Sequence, residues 1–581
     1  MGFIKALALL SLIPLFGYGV SEWVLYDLNV MFKEEGSTLF QFCTSDVFYE
    51  GQDLQSLCKD ILPILWMKIA SILSAIVGII LLLSFMVISK FAGQNRQRIA
   101  KVFPPLVFIT IITLSILVLV QGAILTYGAY IAESYAIGRV HFIAIGMIGL
   151  IALITAIGLI FSSFKLVKKQ THSVLADELN RSQHPKLFSL IDEVAESLGA
   201  KPPKNVIAGL EPNFYVTNAD VTIIGSNAKT LKNGTLFVSL PLARILTVEE
   251  FKGIIGHELG HFRGNDTHYS LKFAPVYSGL SDGIDLLTDD EGGGSIVTYP
   301  AATVLSYMMD VFHKNISAIS RIRELEADKA ACEVANPISL ATSLLKIGLY
   351  ASHWRDLEEQ TINRLIKGKI TKNLSMLFFS IVDYDTNKTS ISTVIKEISE
   401  QTISHPTDSH PPTSSRIAEL GLNIDDIKHD LLVKPSHSCI DLFQDPAIHE
   451  ESLTAIQMQY YVALGVKLPE SDENNYASTA IAAFGAHMVV ADGKVELEEI
   501  NEAESLGISL NEDFDYIEFR EFCHYPESIL PIDELLESAA KISKESKEII
   551  YDYMKKIAGS DGDVSTEEQL LIDKVKKTFN L

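Results

Sequence analysis

Uninterrupted apolar runs crowd the first 165 residues of this 581-residue chain and then cease. Residues 70–88, 105–127 and 142–161 carry no charged side chain. Each is long enough, or nearly so, to cross ~30 Å of hydrocarbon as a helix. A buried helix of a water-soluble domain rarely runs so far without a charge, so all three are predicted to span a membrane. Residues 3–20 form a fourth run, with Lys5 near its start and no clear small-x-small cleavage site behind it. That pattern predicts a signal anchor rather than a removed signal peptide.

Beyond residue 170 the pattern becomes periodic. His184-Pro185 opens an amphipathic helix through Leu187, Leu190, Ile191 and Val194, ending near Gly199. Alternating stretches at 205–208, 213–217, 221–225 and 234–239 predict a small sheet, with turns at Gly209 and at Lys232-Asn233-Gly234. Thr247 and Glu250 then make a capping box ahead of Phe251, Ile254 and Ile255, which predicts a helix through residue 261. Residues 282–295, with Asp289, Asp290 and Glu291 beside three glycines, read as a solvated loop. Residues 298–319 are only patchily apolar, with Asp310, His313 and Lys314 inside, so all four spans are placed ahead of residue 170. A second helix is predicted around 320–331, residues 469–475 read as a linker, and helical spacing returns through Ile481, Phe484, Val489, Ile500, Ile542, Ile549, Ile550 and Met554. The fold class is therefore α+β: four N-terminal transmembrane helices, a mainly helical domain with a small β-sheet, and an all-α C-terminal domain.

Charge placement adds a topology. Lys90, Arg96, Arg98 and Lys101 occupy one short loop without an acid, and Lys165, Lys168 and Lys169 follow the fourth span. Short Lys/Arg-rich loops stay in the cytoplasm. The 21–60 loop instead holds eight acids against Lys33 and Lys59, as expected on the outer side. Everything after residue 170 is thereby assigned to the cytoplasm. Net charge is −24, and residues 441–581 supply most of it, with 30 Asp and Glu against 11 Lys and Arg. Such acidity disfavours nucleic acid as a partner, because phosphate binding needs cations. Cys43 and Cys58 share the outer loop, where a disulfide can form. Cys332, Cys439 and Cys523 show no metal-binding spacing, and Cys332 reads as a small buried apolar residue.

The candidate chemistry begins at His257-Glu258-Leu259-Gly260-His261. On a helix, positions i and i+4 share a face, so His257 and His261 can offer two imidazoles to one Zn²⁺. Glu258 then lies within reach of a water on that ion, as a general base requires. A catalytic zinc also needs a third protein ligand. Glu324 and Asp328 are again i and i+4, so Glu324 can complete a His₂Glu set while Asp328 accepts a hydrogen bond from a ligand imidazole. Glu326 is a chemical rival, but it lies off that face.

His-Glu-Leu-Gly-His followed by Glu324-Leu325-Glu326-Ala327-Asp328 resembles the M48 membrane metallopeptidases, the group of the heat-shock protease HtpX and the CAAX prenyl protease. Ser409-His410-Pro411-Pro412-Thr413-Ser414-Ser415-Arg416-Ile417 is similar to a third motif of that family. The resemblance covers roughly residues 170–425. It implies a zincin-type peptidase with one catalytic Zn²⁺ on His257, His261 and Glu324, and Glu258 as base. It further implies that His410 donates to the oxyanion and that Arg416 holds the loop or the carboxylates of the site. Asn213 and Phe214 would start an edge strand that pairs with the substrate backbone. The implied protein is a membrane-anchored zinc endopeptidase of a bacterial inner membrane, acting on polypeptides, membrane proteins among them. HtpX-like relatives carry spans on both sides of the His-Glu motif, unlike the arrangement predicted here. Four spans also argue against the large intramembrane chamber of a prenyl protease. The domains read as 1–168 (membrane), 169–425 (peptidase), 426–474 (linker) and 475–581 (acidic helical module). The rival reading is a catalytically inert membrane scaffold that recruits protein partners through the acidic module.

That module contains an internal echo: residues 491–499 resemble 560–568, each with an Asp-Gly turn between helices. The pattern is similar to TerB-like helical domains. Asp492, Glu499, Asp561 and Glu568 are candidate ligands for a divalent cation or a partner. The alternative is helix punctuation, with Asp-Gly making the turn and the acids favouring the next N-terminus.

Overall fold

A computed structural model describes residues 2–34, 52–166, 171–225, 228–263, 273–288, 298–385, 388–400, 411–467, 476–511, 514–540, 542–559 and 564–581. The chain forms two compact units. The first comprises residues 1–170, 264–324 and 404–411; the second comprises 171–263, 325–403 and 412–581.

The first unit holds α1 (Gly2–Glu34), α2 (Gln52–Ala92), α3 (Arg96–Ala136) and α4 (Phe142–Leu166). Gly2–Val30, Ile61–Ala92, Arg96–Ala136 and Phe142–Phe161 are long and apolar enough to cross a membrane. Leu73, Ile80, Ile109 and Ile143 stay exposed on their outer faces, as helices bathed in lipid allow. Two further helices join this bundle: α8 (Ala274–Thr288) and the first part of α9 (Tyr299–Val334). Along α9, Ala301, Val304, Leu305, Met308, Phe312, Ile316 and Ile319 recur at helical spacing and are buried in one core with Leu82, Phe85, Phe103 and Leu106. Phe103 packs against Phe273 at 5.1 Å and Phe312 at 5.2 Å. Asn315 donates to the Ser89 carbonyl (2.9 Å), and the Ser89 hydroxyl donates to the Val311 carbonyl (3.0 Å). The patchy segment is not among the helices long and apolar enough to cross a membrane, yet it packs as an inner helix of the bundle.

The second unit opens with β1 (Thr171–Glu178), α5 (Pro185–Ser197), β2 (Asn205–Gly209), β3 (Tyr215–Thr217), β4 (Asp220–Ile224), β5 (Lys229–Leu231) and β6 (Thr235–Ser239). The sheet order is β3-β6-β2-β1-β4-β5. β2 and β6 run parallel, and their centres, residues 206–208 and 236–238, are buried and apolar, as in central strands. β1 also pairs parallel with β4, and β3 is an antiparallel edge strand on β6. Four of these strands match the alternating stretches; β1 and β5 were not anticipated. Next come α6 (Leu240–Ile245) and α7 (Val248–Gly260), then, past residue 324 of α9, α10 (Pro337–Ile366), α11 (Leu374–Asp385), α12 (Lys388–Glu400) and α13 (Thr413–Glu419). Cys332 is half-buried on α9, rather than the fully buried residue expected.

The C-terminal part is all-helical: α14 (Pro446–Ala463), α15 (Tyr476–Val489), α16 (Leu497–Leu510), α17 (Tyr516–His524), α18 (Ile532–Ala539), α19 (Lys544–Ala558) and α20 (Thr566–Phe579). Helices α15–α20 share one core around Phe484, Phe519, Tyr553 and Met554. Two of the echo acids act as punctuation. Asp492 accepts from the Lys494 N–H at 2.8 Å, and Glu568 closes a capping box with Ser565. Asp561 lies outside the described residues, as do Asp289, Asp290 and Glu291; the side chains of Cys43 and Cys58 do as well.

Charge fixes these helices to α10 and α11. Arg364 at the end of α10 pairs with Asp515 (2.7 Å) and Glu521 (2.9 Å), and Lys369 pairs with Asp515 (2.9 Å) and Glu518 (2.6 Å). Arg520, fully buried, pairs with Glu504 and donates to the Ser380 carbonyl of α11. The same face encloses a cavity of about 320 Å³ bordered by Arg364, Lys369, Glu521 and Tyr525. Burial pushes the Glu521 carboxyl up to about 7, against the pull of Arg364 and the Lys372 N–H, and Glu518 and Asp515 push the same way. A carboxyl raised on folding binds its proton more tightly in the folded state. Its contribution to stability is full below the ordinary Glu range and fades as pH climbs through about 7. Glu521→Gln is therefore expected to raise the melting temperature at pH 8, with a gain of roughly 2 kcal/mol, and to have little effect at pH 5. Thermal melts at both pH values check this. A lower melting temperature at pH 8 would show that the Arg364 pair outweighs burial.

Candidate metal centre

The helix that carries His-Glu-Leu-Gly-His is anchored at its start. The Thr247 side chain accepts from the Glu250 N–H (3.1 Å), and the Glu250 side chain accepts from the Thr247 N–H (2.8 Å), completing the predicted capping box. Glu250 is itself buried and held by Thr342 (2.7 Å) and Lys346 (3.0 Å) of α10. Phe251, Ile254 and Ile255 sit in the main core, which orients the other side of α7. His257 lies on its last full turn and His261 caps it, so both rings emerge on one side with centroids 4.8 Å apart.

Helix α9 supplies the rest. One ligand atom each from His257, His261 and Glu324 lie within 4.8 Å of one another. Glu324 is 8% exposed and His257 is 8% exposed, whereas Glu326 is exposed, so the off-face rival is excluded by orientation. Asp328, 1% exposed, accepts from His257 Nδ1 at 2.8 Å. Arg416 grips the same carboxylate with two bonds, Nε to Oδ2 (2.8 Å) and Nη2 to Oδ1 (2.6 Å). The Arg416 Nη2 also stands 3.4 Å from His257 Nδ1. A guanidinium has no lone pair to offer, so the Nδ1 proton is directed to Asp328 and Nε2 keeps its lone pair for a metal. Burial pushes the Asp328 carboxyl up, but the hydrogen bonds from Arg416 and His257 outweigh it and hold the group below the usual carboxylate range. The chain thus presents an ionised carboxylate, an imidazole of fixed tautomer, a second imidazole and a further carboxylate. Two nitrogens and one oxygen are the number and type of protein donors that a catalytic zinc takes, so the residues fit the ion.

Glu258 faces the sheet. Its Oε2 accepts from the backbone N–H of Val216, on edge strand β3, at 3.3 Å. Sequence reasoning missed this contact, since a backbone amide leaves no signal in residue identity. Asn213 and Phe214 precede β3 rather than lie in it. The Asn213 side chain accepts from the Phe214 N–H (2.8 Å), and the Phe214 ring is buried against Phe251. His410 lies outside the described residues; Arg416 is on α13, whose sequence begins two residues after Pro411.

Residues 181–422 match peptidase family M48, and that span holds every one of these side chains. This part of the chain is an M48 peptidase domain. Among its relatives are proteins named protease HtpX homolog. That of Methylibium petroleiphilum is 26% identical over 214 residues, which cover 35% of this chain and 70% of the relative. That of Bacteroides fragilis is 30% identical over 203 residues, covering 32% of this chain and 59% of the relative. That of Archaeoglobus fulgidus is 28% identical over 177 residues, covering 29% and 49%. No solved structure matches. The chain is a membrane-anchored metalloprotease, with an M48 domain behind four apolar helices. The M48 match ends at residue 422, so the acidic C-terminal helices lie beyond it.

Proposed function

We propose that this M48 protein is a zinc-dependent endopeptidase that hydrolyses peptide bonds of membrane proteins or of their extended cytoplasmic tails. The observation that carries the reading is the His257–His261–Glu324 donor set with Glu258 beside it. When bound, zinc supplies Lewis acidity toward the scissile carbonyl and toward the attacking water. Glu258 takes the proton from that water and delivers it to the leaving amine. Asp328 and Arg416 keep the His257 ring fixed through the cycle. His410 is assigned to the oxyanion by its place in the third motif. β3 is the outermost strand of the sheet among the described residues, next to Glu258, which holds its Val216 N–H; this supports an extended substrate added as a further strand, with residues 215–217 as the pairing segment and Asn213 and Phe214 leading into it. The cationic residues around the α2–α3 turn, Lys90, Arg96, Arg98 and Lys101, support a cytoplasmic peptidase at a bacterial inner membrane. The face of the acidic helices that meets α10 and α11 is already used, so a protein partner would meet their other faces.

Metal analysis of the purified chain tests the reading, with one zinc per chain expected. Glu324→Ala should lose that zinc together with the cleavage of an unstructured polypeptide. A wild-type chain that cleaves without any divalent metal, or a Glu324→Ala variant that keeps both, would overturn it.

A further inference from the structure

We propose that Gly256 and Gly260 are positioning residues of the metal centre, setting the approach of α7 to α9 that brings Glu324 and Asp328 to the two histidines. Each glycine directly precedes a histidine ligand in sequence, and the residues they face, Ala327, Ala330, Ala331 and Val334, are interleaved with Glu324 and Asp328 on α9.

The geometry is specific to these two positions. A Cβ at position 256 would stand 2.5 Å from Val334 Cγ2 and 3.1 Å from Ala331 Cα. A Cβ at 260 would stand 3.0 Å from Ala330 Cβ, 3.2 Å from Ala327 Cα and 3.4 Å from Ala327 O. Three of these neighbours are backbone atoms, which cannot rotate away. Gly253, one turn earlier on the same helix, is different: its nearest neighbour would be Ala335 Cβ at 3.4 Å, an ordinary contact. The close approach is thus confined to the stretch that carries the donors.

Glycine inside a helix is unfavourable relative to alanine, and α7 holds three within 13 residues. Helices with ordinary side chains pack 8–10 Å apart. Glycine on one helix against alanine on the other lets the backbones come nearer. The short side chains of the site need that closeness, since Asp328 must meet His257 at 2.8 Å while Glu324 joins both imidazoles. Functional side chains lose effectiveness when displaced by about 0.5 Å or more. A methyl group at 256 or 260 forces the helices apart by that order and separates α9's carboxylates from α7's imidazoles.

The inference rests on the zinc reading above, and the experiment separates the two. Zinc affinity is measured by chelator competition on the full-length wild type and on Gly256→Ala, Gly260→Ala and Gly253→Ala. The visible spectrum of the cobalt-substituted proteins reports coordination. Gly256→Ala and Gly260→Ala are expected to bind zinc at least tenfold more weakly and to show an altered cobalt spectrum, with Gly253→Ala like wild type in both. Gly256→Ala/Val334→Ala, which removes the nearest clash, is expected to recover part of the affinity. If Gly256→Ala alone does not fold, that double variant carries the test, and a tenfold deficit from the remaining Ala331 contact is then expected. Folded variants at 256 and 260 with wild-type affinity and spectrum would overturn the inference alone, as would an equal loss in Gly253→Ala. A wild type that binds no zinc would instead remove the reading beneath it.

Discussion

Glu258→Gln is expected to lower the rate of peptide cleavage by about 10³-fold or more while leaving bound metal in place, since a general base contributes 10²–10⁴-fold. The exchange keeps the size of the side chain and an oxygen that can still accept from the Val216 N–H, so the geometry around β3 survives. It removes the capacity to take a proton from water and hand it on. Steady-state rates on an unstructured polypeptide, metal content and thermal melting together check the result. Undiminished turnover with metal retained would show that another group moves the proton. Lost metal would show that Glu258 also supports the donor set.

Asp328→Ala carries the second largest effect, in two separable parts. Asp328 is buried between His257 and Arg416, with Arg416 itself only 12% exposed. Removing the carboxylate leaves a guanidinium without its bidentate acceptor, and breaking a buried pair from one side costs about 3–5 kcal/mol. It also frees the His257 ring, and loss of such an orienting partner weakens metal binding about 10–100-fold. The double variant Asp328→Ala/Arg416→Met is expected to regain much of the stability and none of the metal affinity, because only the stranded charge has been relieved. Thermal melts and zinc titrations on the two variants settle the division. Full metal affinity in the single variant would mean that packing alone orients His257.

The parts of the site legible in the sequence were those with short spacing. His257, Glu258 and His261 lie within five residues, and Glu324 and Asp328 within another five, so helical periodicity alone placed each group on a face. The Thr247–Glu250 capping box was legible for the same reason. The family motifs, rather than spacing, joined the two groups and added Arg416. What stayed hidden depends on long-range partners. β1 pairs with β2 and β4, more than 25 residues away, and nothing in Thr171–Glu178 announces those registers. The acids of the C-terminal helices read as undifferentiated surface charge, although Asp515, Glu518 and Glu521 answer Arg364 and Lys369 about 150 residues earlier. On α9, Asp310, His313 and Lys314 masked an apolar stripe that the bundle buries. Gly256 and Gly260 carry no such signal in the sequence, because the cost of a methyl group is visible only once α9 lies against them.

The core around α7 draws on Leu187, Phe251 and Leu345, but also on Cys439, Tyr461 and Ile517. Proteins emerge from the ribosome N-terminus first, at ~5–20 residues per second, and fold as units. Arg416, and then the final pieces of this core, reach the folding chain only after most of it has been translated, Ile517 when about nine-tenths of the 581 residues are made. The helices long and apolar enough to cross a bilayer are thus synthesised well before the core that orients α7 has all of its pieces.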